Sequence, residues 1–390
     1  MTTEPVLNIL LSDMDGVLLD SHAYYDSLRD TMDSIGAALG FAPHVLSPED
    51  ILAFEGAGIT AEWDSSVICT ALLLDKLWQH YPDVSLDQAL VGEPIPLHPI
   101  PLPDLAGFAR RLGEDRTSEY RPLENAAALL AANANGRPPE KTALLVDLIH
   151  SARTPEYSWT YRLIQERNLG SRRFAESYGI PSVLDTESYL ETRDRPTLSP
   201  EEQHALLGWA ARPGSAAVIF TNRPALAPDG SGGLPEAEIG RRLTGLEDLP
   251  MMTMGGLGWL ARQRGEGEEA YLKPSPVHVL AALQLALGAS TLDALRSAAG
   301  LALDDRWDSS WRELEGCQVI AVEDAAKGLR SATSALAILR GRGVQARLLL
   351  HGVATHPEKV RALEHAGAVV SPNVRLVLAS LPGWLETPQA

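Results

Sequence analysis

A chain of 390 residues with 45% hydrophobic and 22% charged side chains is neither disordered nor fibrous, and its length suits two domains or one domain with a large insertion. Its 33 lysines and arginines against 51 aspartates and glutamates give a net charge of −18, which disfavours nucleic acid and anionic membrane surfaces as partners. No apolar run of about 18 residues is present to span a bilayer.

The opening residues carry no basic side chain, and the apolar run that follows breaks at Asp13, so the start reads as a poor signal peptide. Two cysteines, Cys69 and Cys317, cannot build a disulfide framework, and a reducing, cytoplasmic setting is expected. Residues 6–12 (Val-Leu-Asn-Ile-Leu-Leu-Ser) are nearly all apolar, the pattern of a strand buried on both faces of a parallel sheet.

From 23 to 194 the pattern changes. Helical apolar spacing recurs at 66–80, 104–113, 123–133, 140–152 and 159–178, with turn-forming stretches at 93–103 and 134–139. Gly58, Trp63 and Asp64 lie in a loop leading into the first of these helices, where glycine permits close approach of a ligand and the other two offer a flat face and an acceptor. The alternative there is a helix start, with Asp64 as cap and Trp63 as core anchor. Arg162, Arg167, Arg172 and Arg173 fit either an anion contact or solvated helix positions.

Beyond 195, short apolar runs at 216–220, 318–322, 346–350 and 367–370 alternate with helical stretches at 201–211, 236–244, 276–287, 325–341 and 357–366. Strand alternating with helix predicts a parallel sheet covered on both faces. The expected architecture is an α/β, Rossmann-like core formed by 1–22 and 195–390, with 23–194 as a large inserted domain, mainly helical.

Motifs sit where these strands end. In Asp13-Met14-Asp15-Gly16, residues two apart on an extended chain face the same side, and two carboxylates so placed repel unless a proton or a cation such as Mg²⁺ intervenes. A polar strand end before a turn is the plain alternative. Thr221-Asn222-Arg223 after the second run offers a hydroxyl, an amide and a guanidinium for phosphate oxygens, or else a helix cap. Lys273-Pro274 supplies a compact positive charge, and Glu323-Asp324 follows the run at 318–322 as a second acidic pair, a placement that a helix dipole alone also favours. Ligands of open α/β sheets bind at the carboxyl ends of the strands, which brings all four to one crevice. Gly230-Ser231-Gly232-Gly233 has no strand before it and no G-x-x-x-x-G-K-[ST] occurs, so neither a dinucleotide fingerprint nor a P-loop is present.

In this order, Asp13-x-Asp15-Gly16-Val17, Thr221-Asn222-Arg223, Lys273-Pro274 and Glu323-Asp324-x-x-x-Gly328 resemble the four motifs of the haloacid dehalogenase-like (HAD) hydrolases. Members with a helical cap carry it between the first and second motifs, where this chain has its long interval. The resemblance implies phosphoryl transfer with Asp13 as nucleophile, Asp15 as general acid and base, and Thr221 and Lys273 stabilising the transferring oxygens. It implies Mg²⁺ held by Asp13, the Asp15 carbonyl and Asp324, with Glu323 assisting; Asn222 and Arg223 beside this site, and Gly58, Trp63 and Asp64 in the inserted domain, are the candidate substrate contacts. Dehalogenases of the family lack an acid at the position of Asp15, which favours a phosphatase acting on a small phosphorylated metabolite. A sugar phosphomutase and a catalytically silent binding protein are the alternatives, and the oligomeric state is not legible.

Overall fold

The computed structural model describes residues 6–85, 100–114, 121–134, 136–153 and 158–384. The chain forms two compact units, one of Met1–Ser21 with Arg193–Ala390 and one of His22–Thr192. Borders at 22/23 and 194/195 were the expectation from sequence.

The first unit contains β1 (Asn8–Ser12), β2 (Leu19–Asp20), β3 (Arg195–Pro196), β4 (Ser215–Thr221), β5 (Met251–Thr253), β6 (Gln318–Glu323), β7 (Arg347–Val353) and β8 (Val369–Ser371). Six of these make a parallel sheet in the order β5-β4-β1-β6-β7-β8, while β2 and β3 pair antiparallel. The period of two explains the all-apolar runs. Ile9 and Leu11 of β1, Val218 and Phe220 of β4, and Val319 and Ala321 of β6 enter one core, beneath helices Met254–Arg264, Pro276–Ala286, Thr291–Leu303 and Ala326–Gly341. Their neighbours Leu10, Ala217, Ile219, Ile320 and Val322 enter another core on the opposite face, against helices Pro200–Ala210 and Val374–Leu378. A strand with no polar face is thus a strand with no wet face.

Besides the short pair β2 and β3, the helix Val374–Leu378 and two 3-10 turns, three elements of this unit lie outside the expected set. Strand β5 is only three residues at a sheet edge, and helix Met254–Arg264 opens Met-Gly-Gly-Leu-Gly, a composition that weakens local helix preference and leaves burial to decide. Helix Thr291–Leu303 is the third.

Among its described residues the second unit is built from helices. Ala23–Ala38 and Pro48–Gly56 join those expected from sequence. The stretch expected as one helix over 159–178 is two, Trp159–Leu169 and Ser171–Tyr178, broken at Gly170. Gly170 has φ of 78°, and a Cβ there would lie 2.8 Å from the Ser188 amide nitrogen, so close approach of backbone fixes the break. The turn stretch at 93–103 lies largely outside the described residues. No helix among the described residues is long and apolar enough to cross a membrane.

Candidate active site

Asp13 continues β1, and its amide donates to Val322 O of β6 at 2.9 Å, so the sheet itself fixes the first carboxylate. The chain then turns tightly, Leu19 N donating to Met14 O at 2.8 Å. Gly16, with φ of 70°, is required at this turn twice over. Its backbone is left-handed, and a Cβ would lie 2.6 Å from Asp324 Oδ2.

Lys273 is the cation at the centre. Its side chain is 1% exposed, and Nζ lies 2.8 Å from Asp13 Oδ1 and 2.6 Å from Glu323 Oε1. The ammonium also stands 3.9 Å from the centroid of the Phe220 ring, whose edge-on neighbour is His278. Burial alone would lower the lysine pKa, but the charges of Asp13 and Glu323 outweigh it and raise the pKa, keeping the ammonium protonated. Glu323 ends β6 fully buried, its carboxylate against Gly328, where any Cβ would collide with Oε1. Burial, with the charge of Asp13 behind it, pushes Glu323 well above the usual carboxylate range despite Lys273. Asp324 is also raised, by burial first and by Asp13, although Lys359 Nζ lies 3.0 Å from its Oδ2.

Oxygens of Asp13, Glu323 and Asp324 come within 4.8 Å of one another. With Asp15 and Asp194, these carboxylates outnumber the cations Lys273, Lys359 and Arg223 by two. Hard oxygen donors, crowding that raises carboxylate pKa values and an excess of two negative charges fit a divalent cation such as Mg²⁺. Each of the three carboxylates has one oxygen on a lysine, Asp13 and Glu323 on Lys273 and Asp324 on Lys359.

Thr221 ends β4, buried, its Oγ1 accepting from the Arg223 amide at 3.1 Å. Asn222 Oδ1 accepts from the Lys273 amide at 3.3 Å, tying the second motif to the third. Arg223, expected beside a phosphate, faces two protein carboxylates in this structure. Its guanidinium holds the Asp15 carboxylate, with Nη2 2.6 Å from Oδ1 and Nε 2.9 Å from each oxygen, and Nη2 also lies 2.7 Å from Asp194 Oδ2. Ser21 Oγ donates to Asp15 Oδ1 at 2.6 Å. Burial would raise the Asp15 pKa, but the charge and hydrogen bonds of Arg223, aided by Ser21, bring it below its ordinary value.

Asp194, Ser21 and Lys359 were not singled out as site residues from sequence. Asp194 reaches Arg223 from just before β3, which pairs with β2 in a two-residue ladder without any periodic signal, and Ser21 reaches Asp15 from just after β2. Lys359, in the first turn of helix Pro357–His365, looks in sequence like any surface lysine.

The candidates of the helical unit have local partners. Gly58 stops helix Pro48–Gly56, with Gly58 N donating to Glu55 O at 2.9 Å and Ile59 N to Phe54 O at 3.0 Å, a Schellman pattern. Asp64 is buried, and its oxygens accept from Arg153 Nη2 at 2.9 Å and Nε at 3.2 Å. It is not the helix cap, since helix Glu62–His80 begins after Ala61. Trp63 packs edge-on to Tyr161 at 6.0 Å. Of the arginines, Arg162 pairs with Glu166, Arg173 with Glu191, Arg167 is buried against Thr31 and Ser34, and only Arg172 is strongly exposed.

No model of a known protein family matches the chain, and no curated protein matches it. An X-ray structure determined by the Northeast Structural Genomics Consortium is similar over 98% of this chain and 100% of its own, with a TM-score of 0.59 and 15% sequence identity. Likeness at that identity concerns the fold alone.

Proposed function

We propose that this chain is a Mg²⁺-dependent phosphoric-monoester hydrolase of the haloacid dehalogenase-like type, acting on a small phosphorylated metabolite through a phosphorylated Asp13. One observation carries the reading: a carboxylate at the end of the central strand, bridged by a buried lysine to Glu323, with Asp324 oxygens inside the same 4.8 Å cluster.

A carboxylate oxygen of Asp13 attacks phosphorus while the bond to the leaving oxygen breaks, and that oxygen takes the electron pair and a proton from Asp15. Water then attacks the acyl phosphate, giving its proton to Asp15 and restoring Asp13. Lys273, and the Thr221 hydroxyl, stabilise negative charge on the transferring oxygens in a site from which water is largely excluded. Arg223 holds the Asp15 carboxylate in one orientation and favours the form that takes the proton from water, and donation in the first half delivers a proton that Asp15 has taken up from water beforehand. A divalent cation held by Asp13, Asp324 and the main-chain carbonyl of Asp15 supplies neutralisation between an anionic nucleophile and an anionic ester. The acidic surface expected from the net charge argues for a small ligand over nucleic acid. Two buried cysteines without a disulfide support the proposed cytoplasmic setting.

The test is release of phosphate from p-nitrophenyl phosphate. Turnover is expected with Mg²⁺, to vanish with chelator and to return on re-addition. Asp13→Asn is expected to lower kcat by about 10⁴-fold or more with little change in Tm. A wild-type protein without Mg²⁺-dependent turnover across a broad panel of phosphate esters would instead be a binding protein on the same fold.

A further inference from the structure

Arg223 follows Thr221 and Asn222, yet its Nε and Nη2 donate to protein carboxylates. Nε spans both Asp15 oxygens at 2.9 Å and Nη2 reaches Oδ1 at 2.6 Å, so the planar fork fixes the rotation of that carboxylate as a single point charge could not. The same Nη2 meets Asp194 Oδ2 at 2.7 Å, and the side chains of Arg223 and Asp194 are 1% and 0% exposed. Turning the guanidinium toward a third anion would strip a buried aspartate of this partner, which is strongly disfavoured. The seat is shaped for the arginine as well: a Cβ on Gly240 would lie 3.1 Å from Arg223 Nη1 and 2.4 Å from Met14 Sδ.

The two flanking residues come from the ends of the β2–β3 ladder. Ser21 is the last residue of its segment before the chain leaves for the helical unit, and Asp194 lies just after the return. Arg223 Nη2 lies 3.3 Å from Ser21 Oγ, so one guanidinium ties Asp15 to both segments.

We infer that Arg223 is a positioning residue, fixing the orientation of the Asp15 carboxylate toward the leaving group, with Asp194 as the buried counter-charge that fixes Arg223. The inference rests on the phosphatase reading above. It assigns Arg223 no contact with the transferring phosphate.

The experiment compares kcat/KM for p-nitrophenyl phosphate, whose leaving group departs without a proton, with kcat/KM for phenyl phosphate, whose leaving group needs one. This parameter covers steps only through formation of the phosphoenzyme, so hydrolysis of that intermediate does not mask the difference. In Arg223→Ala the loss for phenyl phosphate is expected to exceed that for p-nitrophenyl phosphate by about 10-fold or more, within the range of a lost proton donor. Arg223→Lys should recover part of it, and the isosteric Asp194→Asn should show the same selectivity more weakly with its Tm close to wild type. Equal losses for the two esters, or a raised KM alone, would overturn the inference in favour of phosphate binding. A fall in Tm with equal losses, or a gain for phenyl phosphate, would overturn it too. If the unsubstituted protein hydrolyses neither ester, the phosphatase reading itself fails, and this inference with it.

Discussion

The α/β unit and the helical unit handle charge in opposite ways. At the ends of β1 and β6, backbone ties and the sharp turn at Gly16 force carboxylates together, and burial first, with the charge of Asp13 added, leaves Glu323 and Asp324 raised. In the helical unit, charged residues with the same apparent promise have opposite partners: Asp64 with Arg153, Arg162 with Glu166, Arg173 with Glu191. Balanced pairs lower the cost of burying charge, and their effect is confined to stability. A surplus that the fold itself imposes has a cost that a proton or a bound cation relieves, which is why it marks a candidate site.

Removing a charge from each region should therefore give different kinds of effect. The largest is expected at Lys273. Lys273→Met deprives the fully buried Glu323 of its cation and should destabilise the protein by about 3–5 kcal/mol, measured by urea unfolding. It should also lower kcat by about 10²–10³-fold. Adding Glu323→Gln should restore much of the stability and little of the rate. Recovery of the rate as well would erase the contrast between the units.

A smaller effect is expected behind the site. Burial, with the charge of Lys273 added, pushes the His278 pKa down to about 3 from an ordinary 6.5. The unfolded chain therefore binds a proton below 6.5 that the folded protein refuses until about 3, so stability is complete above pH 6.5 and falls as the pH drops through that window. The slope is up to about 1.4 kcal/mol per pH unit from this residue. His278→Gln keeps a donor for Met252 O and should flatten that limb between pH 6.5 and 3 in unfolding measurements. An unchanged limb would show that the histidine is protonated where it lies. The smallest effect belongs to the helical unit, where Asp64→Asn should cost about 1 kcal/mol and leave kcat and KM for p-nitrophenyl phosphate unchanged. A raised KM would return Asp64 to the list of substrate contacts.

Much of the α/β unit could be read in the chain because its strands are buried on both faces. Residues 6–12, 216–220 and 318–322 are nearly all apolar, and each is followed at once by the residue that matters. β5, β2 and β3 were invisible for the converse reason, being two or three residues long and held by neighbours distant in sequence. Arg223 is legible in sequence as a charge beside Thr221, but nothing near it announces its buried partner Asp194.

Composition and patterning by themselves determined an acidic, two-part chain with a parallel sheet and short polar motifs at strand ends, because periodicity and turn chemistry are local properties of the covalent sequence. Which carboxylate meets which cation was decided only in three dimensions. The energies of buried charges depend on distances between segments hundreds of positions apart, and sheet order and close backbone approach at glycine set those distances.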